Sequence, residues 1–167
     1  DLLPEPQWER GSLEAGNLVV LHSMTKYWGL AGLRLGHAVA APEVAAALRA
    51  AAAPWSVNAC AQRAGVAALA DLEHHERSIA LLVAERDRLA AGLRDQGWTV
   101  EPTTAGFFLI HAGDAARLRR DLLVRGRLVR DCTSFGLPAH VRVSPRHPEQ
   151  NDLLLASFSE LTPPAAG

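Results

Sequence analysis

Lysine is nearly missing from this sequence. Its 167 residues contain one, Lys26, and the other sixteen basic side chains are arginines. Cysteine is also scarce. Cys60 and Cys132 are too few for a disulfide framework, so a reducing, cytoplasmic setting is expected. A surplus of charge is absent too: 21% of residues are charged and the net charge is −1. That leaves no strong field for DNA, RNA or an anionic membrane. The four tryptophans are scattered and form no stacking platform for bases, so no nucleic-acid partner is expected. Asp1 to Arg10 is acidic and proline-containing, without the apolar core of a signal peptide. The alanine-rich run from Ala38 to Ala53 is broken by Pro42, Glu43 and Arg49, so no membrane span is expected. No internal repeat is visible. Position 1 is not methionine, and DLLPEPQWERG reads like a loop inside a protein, so residues preceding Asp1 are expected.

The length suits one domain, or one domain plus part of another. NLVVLHS, residues 17–23, is a short Val- and Leu-rich run that suits a buried strand. A glycine-rich turn follows, and LRLGHAVA, residues 33–40, reads as a second strand. Pro42 and Glu43 open a helix, since proline is tolerated at the first helical position and an acid favours the positive helix end. That helix stops at Pro54. Another starts near Ser56, and a long one runs from Asp71 to Gln96 before Gly97, with Ile79, Leu82, Val83, Leu89, Ala90 and Leu93 at helical spacing. WTVEP and FFLIHA read as strands, Asp114 caps a helix ended by Gly126, RLVRD and HVRVS read as strands, and His147-Pro148-Glu149 starts a last helix. The second part is thus an α+β unit. A domain boundary is expected inside the long helix, giving 1–75 and 76–167.

The stretch HSMTKYWGLAGLRLGH, residues 22–37, concentrates the chemistry. Ser23 and Lys26 are three apart just beyond a strand. A lysine can lose its proton and attack a carbonyl, whereas arginine stays protonated. Arg34 follows, flanked by Gly32 and Gly36. Its planar fork suits a phosphate, and nearby glycines allow close backbone approach. A hydroxyl, an imine-forming amine and a guanidinium together suit pyridoxal 5'-phosphate (PLP), which carries both an aldehyde and a phosphate.

The same stretch resembles the S-x-x-K…GLRxG signature of PLP-dependent fold type I aminotransferases of classes I and II. It is similar in particular to the subgroup containing histidinol-phosphate aminotransferase and threonine-phosphate decarboxylase. APWSVNACAQRAGVAAL (53–69), LVRD (128–131) and HVRVSPRHPEQNDLLLASF (140–158) resemble further motifs of that subgroup. The resemblance implies Lys26 as the lysine that joins the cofactor, Ser23 and Arg34 on its phosphate, Arg142 on the substrate carboxylate or another anion, and Arg130 as a second anion contact. It implies an α/β chain holding only a C-terminal half of the fold: the end of the large-domain sheet in 1–75, and a small α+β domain in 76–167. It also implies a homodimer and a small anionic amino substrate. The family's aspartate, ring-stacking aromatic and phosphate loop would lie before Asp1, so this segment alone is expected to be catalytically incompetent.

Two enzymatic readings stay open. One is transamination of an amino acid or amino-alcohol phosphate; the other is decarboxylation of threonine phosphate. A third is an aminotransferase-like module without activity. Glu73-His74-His75-Glu76 reads as a solvated helix face and not a metal site, because adjacent helical residues diverge by about 100°. Cys60 and Cys132 read as small buried hydrophobes. Arg146 reads as a solvated loop residue in preference to another anion contact.

Overall fold

The computed structural model describes Leu13, residues 16–26 and residues 28–164. Two units emerge, Asp1–Ile79 and Ala80–Gly167.

In the first unit, strand β1 (Val19–Ser23) pairs with β2 (Gly36–Ala40) in an antiparallel ribbon, from Val19 opposite Ala40 to Ser23 opposite Gly36. Gly36 is demanded by this pairing. A Cβ there would stand 2.7 Å from the His22 carbonyl oxygen. Among the described residues β1 and β2 pair only with each other, as the chain between Ser23 and Gly36 doubles back on itself. The second strand is also shorter than expected, because residues 31–33 form a 3₁₀ turn and Arg34 adopts a left-handed φ of 54°.

Helix α1 (Pro42–Ala51) begins with proline in its first turn and ends short of Pro54. Helix α2 (Ala59–Ala70) is capped by Asn58, whose side chain accepts the Ala61 N–H at 2.8 Å. Asparagine caps as well as serine, so the helix starts later than Ser56 suggested. The long helix α3 (Leu72–Asp95) contains the division between the units.

The second unit is built on a three-stranded antiparallel sheet in the order β3 (Phe108–His111), β5 (His140–Val143), β4 (Arg130–Asp131). Residues 98–102 contribute only an isolated bridge, Val100 to Ile110, where a full strand was expected. Helix α4 (Ala115–Val124) is capped by Asp114, which accepts the Arg117 N–H at 2.9 Å, and helix α5 (Pro148–Ser159) again opens on proline. One sheet face meets the helices. Leu89, Leu93, Phe108, Ile110, Leu122, Val141 and Phe158 are buried there, and Trp98 meets Phe158 edge to face at 5.0 Å. Burying each of the larger side chains contributes about 1.5–3 kcal/mol. The alternate residues of β5 point the other way, which leaves Arg142 off the core.

Candidate active site

In the first unit, β1 delivers Ser23 to the mouth of the loop and the chain turns at once. The turn is pinned by Met24, only 2% exposed. Its N–H donates to the Leu35 carbonyl (3.0 Å), and its own carbonyl accepts from Leu30 (3.3 Å). Lys26 follows, exposed, with its carbonyl accepting the Gly29 N–H at 3.0 Å. Gly29 has a φ of 64° that favours glycine. Ser23 Oγ and Thr25 Oγ1 are 2.7 Å apart, and Arg34 Nη1 donates to the Ala31 carbonyl at 2.9 Å. Ser23, Thr25 and Arg34 line one open cavity of about 320 Å³, with Gly36 in its wall. Ser23 and Arg34 are therefore brought together, whereas Lys26 is not among the lining residues.

Helix α2 backs this loop at Gly65, where a Cβ would meet Leu35 at 2.4 Å and Met24 Sδ at 3.6 Å. Trp28 stacks on His75 at 4.7 Å, and its Nε1 donates to the Ala68 carbonyl at 3.0 Å. His75 is thus half-buried packing, while Glu73, His74 and Glu76 are exposed, and no metal-holding cluster occurs among the described residues. His22 stacks on its cross-strand partner His37 at 4.9 Å, and burial followed by the His22 charge pushes the His37 pKa down. Trp55 is 97% exposed with a φ of 55°. Cys60 is exposed and so departs from its expected burial. Cys132 is buried, and burial pushes its thiol pKa up.

In the second unit, Arg130 and Arg142 face each other across β4 and β5. Arg142 lies over the Phe107 ring (5.1 Å) and the Phe135 ring (5.9 Å); Arg130 lies over Phe135 (5.3 Å) and donates to Ser134 Oγ (2.9 Å). Phe108 is buried in the core, and Phe107 serves as a platform for Arg142. Both arginines line a cavity of about 710 Å³, joined there by Arg119, Arg127 and Arg146. Sequence reasoning missed Arg119 and Arg127, whose only signal was arginine density between residues 117 and 146, and preferred a loop role for Arg146. It also missed Met24 and Gly65, whose roles depend on packing between segments distant in sequence.

With this geometry in view, the comparisons are specific. The sequence matches the family described as aminotransferase class I and II over residues 4–158. The chain belongs to this family. It is 47% identical over 136 residues to the histidinol-phosphate aminotransferase of Symbiobacterium thermophilum, covering 81% of this chain and 38% of that protein. Among solved structures it resembles histidinol-phosphate aminotransferase from Clostridium acetobutylicum (TM-score 0.83, 26% identity, 93% of this chain and 49% of that one). It equally resembles L-threonine-O-3-phosphate decarboxylase from Porphyromonas gingivalis (TM-score 0.83, 28% identity, 95% and 51%). These matches correct the confinement of the family resemblance to a C-terminal half. The family match and the two solved structures run through 93–95% of the chain, with both units included, so the family and fold assignments are whole-chain ones and not those of a C-terminal half. They give no support to reading the chain as an inactive piece. The chain spans 38% of the length of the Symbiobacterium protein and about half of each solved chain. No helix among the described residues is long and apolar enough to cross a membrane.

Proposed function

We propose that the chain serves a PLP-dependent aminotransferase of the histidinol-phosphate type, acting on a small anionic amino substrate. The observation that carries this reading is the shared cavity of Ser23 and Arg34, next to the turn bearing the chain's one lysine. The donor set fits the cofactor: a hydroxyl and a guanidinium suit its phosphate, and among the described residues the Arg34 guanidinium's one hydrogen-bond partner is the Ala31 carbonyl. PLP, when bound, supplies the electron sink for breaking a bond at the substrate's Cα.

The protein's own residues do the rest. Ser23 and Arg34 hold the phosphate. Lys26 would hold the cofactor through its amine and would serve as the general acid and base for the proton at the substrate's Cα. Arg142 holds the substrate's anionic group with a two-pronged contact that sets orientation as well as charge, and Arg130 adds a second. Residues 1–75 act as part of the larger cofactor-binding domain and 76–167 as the smaller one. The protein works as a cytoplasmic homodimer. Decarboxylation of threonine phosphate is the second reading, supported by the likeness to the Porphyromonas enzyme. Incubating the PLP-loaded protein with histidinol phosphate plus 2-oxoglutarate, and separately with threonine phosphate, separates the two. Glutamate formation without carbon dioxide supports transamination. Carbon dioxide release from threonine phosphate overturns it in favour of the second reading.

A further inference from the structure

Five arginines line the cavity of the second unit, and no carboxylate lines it among the described residues. Arg130 and Arg142 stand directly opposite each other on antiparallel strands, a placement that is unfavourable for like charges unless something negative joins them. Both lie over aromatic rings, and among the described residues neither is in an ion pair with an acid.

The chain leaving β5 toward α5 is fixed by a buried latch. Asn151 is 1% exposed. Its Oδ1 accepts the Arg146 N–H at 2.8 Å, and its Nδ2 donates to the Arg146 carbonyl at 2.9 Å and to Glu85 Oε2 at 2.7 Å. Glu85, 8% exposed, is held from its other side by Arg88, with Nη2 to Oε2 at 2.8 Å. Arg88 also reaches Asp152 (2.6 Å) and the Pro148 carbonyl (3.3 Å), which ties the latch to the first turns of α5. Both main-chain polar groups of Arg146, an exposed loop residue, are therefore secured by one buried side chain. The Arg146 guanidinium itself reaches only Gln150 Oε1, at 3.4 Å, and pairs with no acid among the described residues.

We propose that Arg146 is a specificity-determining residue, held at the cavity by the Asn151–Glu85 latch so that three arginines select a phosphate monoester dianion over a carboxylate. A carboxylate has two oxygens and one charge, which a single guanidinium fork satisfies. A phosphate monoester has three terminal oxygens and nearly two charges, which Arg130, Arg142 and Arg146 together match. Asn151 and Glu85 are positioning residues that act through Arg146. This inference rests on the reading of Arg142 and Arg130 as substrate-anion contacts.

The test uses the full chain loaded with PLP, and measures methyl phosphate and acetate both as competitive inhibitors of turnover and by titration calorimetry. Arg146→Gln is expected to weaken methyl phosphate about tenfold, the loss of one exposed charge-assisted contact. Acetate binding should move by less than about twofold. Asn151→Ala should shift the phosphate-to-acetate ratio in the same direction. Glu85→Gln keeps an oxygen that accepts from Asn151 Nδ2 and should leave the ratio near the parent value. If Asn151→Ala does not fold, Arg146→Gln decides alone, since its side chain is exposed and outside the core. An unchanged ratio in Arg146→Gln overturns the inference. If Arg142→Met also leaves both inhibitors unaffected, the underlying reading of the cavity falls. Loss in Arg142→Met with none in Arg146→Gln overturns only the role of Arg146.

Discussion

Replacing Met24 with alanine should loosen the turn that carries Lys26. The side chain is 2% exposed, and its sulfur lies against α2 beside Gly65. Its backbone groups hold Leu35 on one side and Leu30 on the other. Truncation removes three heavy atoms beyond Cβ, a transfer loss of about 2 kcal/mol at roughly 0.8 kcal/mol per methylene-sized group. The cavity left behind adds to this. Leu30, Leu33 and Leu35 are only half-buried and can partly collapse into it, so the total belongs near the lower end of the usual range, about 2–3 kcal/mol. Met24→Leu keeps most of the volume and should cost less than about 1.5 kcal/mol. Urea unfolding at constant slope measures the stability, and PLP titration followed by absorbance reports on the turn. The alanine variant should lose both stability and cofactor affinity, while the leucine variant keeps most of each. A Met24→Ala protein within about 0.5 kcal/mol of the parent, with unchanged PLP affinity, would refute the view that Met24 sets this turn.

Gly36→Ala places a methyl 2.7 Å from the His22 carbonyl, with backbone on both sides, and should cost about 1–3 kcal/mol in thermal unfolding. Gly32→Ala meets nothing within 4 Å and is the matched control. Arg142→Lys keeps the charge but loses the planar fork and its seat over Phe107, so KM for an anionic substrate should rise about tenfold while kcat changes less. The hydrogen bond from Arg88, followed by that from Asn151, holds the Glu85 carboxyl below the usual carboxylate range. The unfolded chain therefore binds that proton first as pH falls. The latch's stabilisation is present above the ordinary glutamate pKa and drains away as pH drops toward the depressed folded value. Glu85→Gln should flatten the acid limb of a stability-versus-pH curve measured by urea unfolding.

The proposed cofactor contacts could be named from the sequence because their chemistry is local: Ser23, Lys26 and Arg34 fall in one short stretch, residues 23–34, and their residue types suggest what they can bind. Helices with proline or aspartate at their starts and glycine at their ends were legible for the same reason. Sheet pairing was not. The run NLVVLHS is apolar enough for many partners, and its antiparallel partner was settled by the loop's return and by the missing Cβ at Gly36. The left-handed Arg34 shortened β2 without a glycine to announce it. The latch of Glu85 and Asn151 joins positions far apart in the chain, so nothing near Arg146 signalled that its backbone is held. The crowding of arginines into one cavity likewise arises only when α4, the strand pair and α5 come together.

The central claim is that Lys26 joins the cofactor, and reduction with borohydride tests it most directly. The protein would be incubated with PLP, reduced, digested and mapped by mass spectrometry. Lys26 is the one lysine among these 167 residues, so the labelled peptide tells it from any other amine. The account predicts a phosphopyridoxyl group on Lys26, and its loss in Lys26→Arg. Label only on a peptide without Lys26, or no label at saturating PLP, would contradict it.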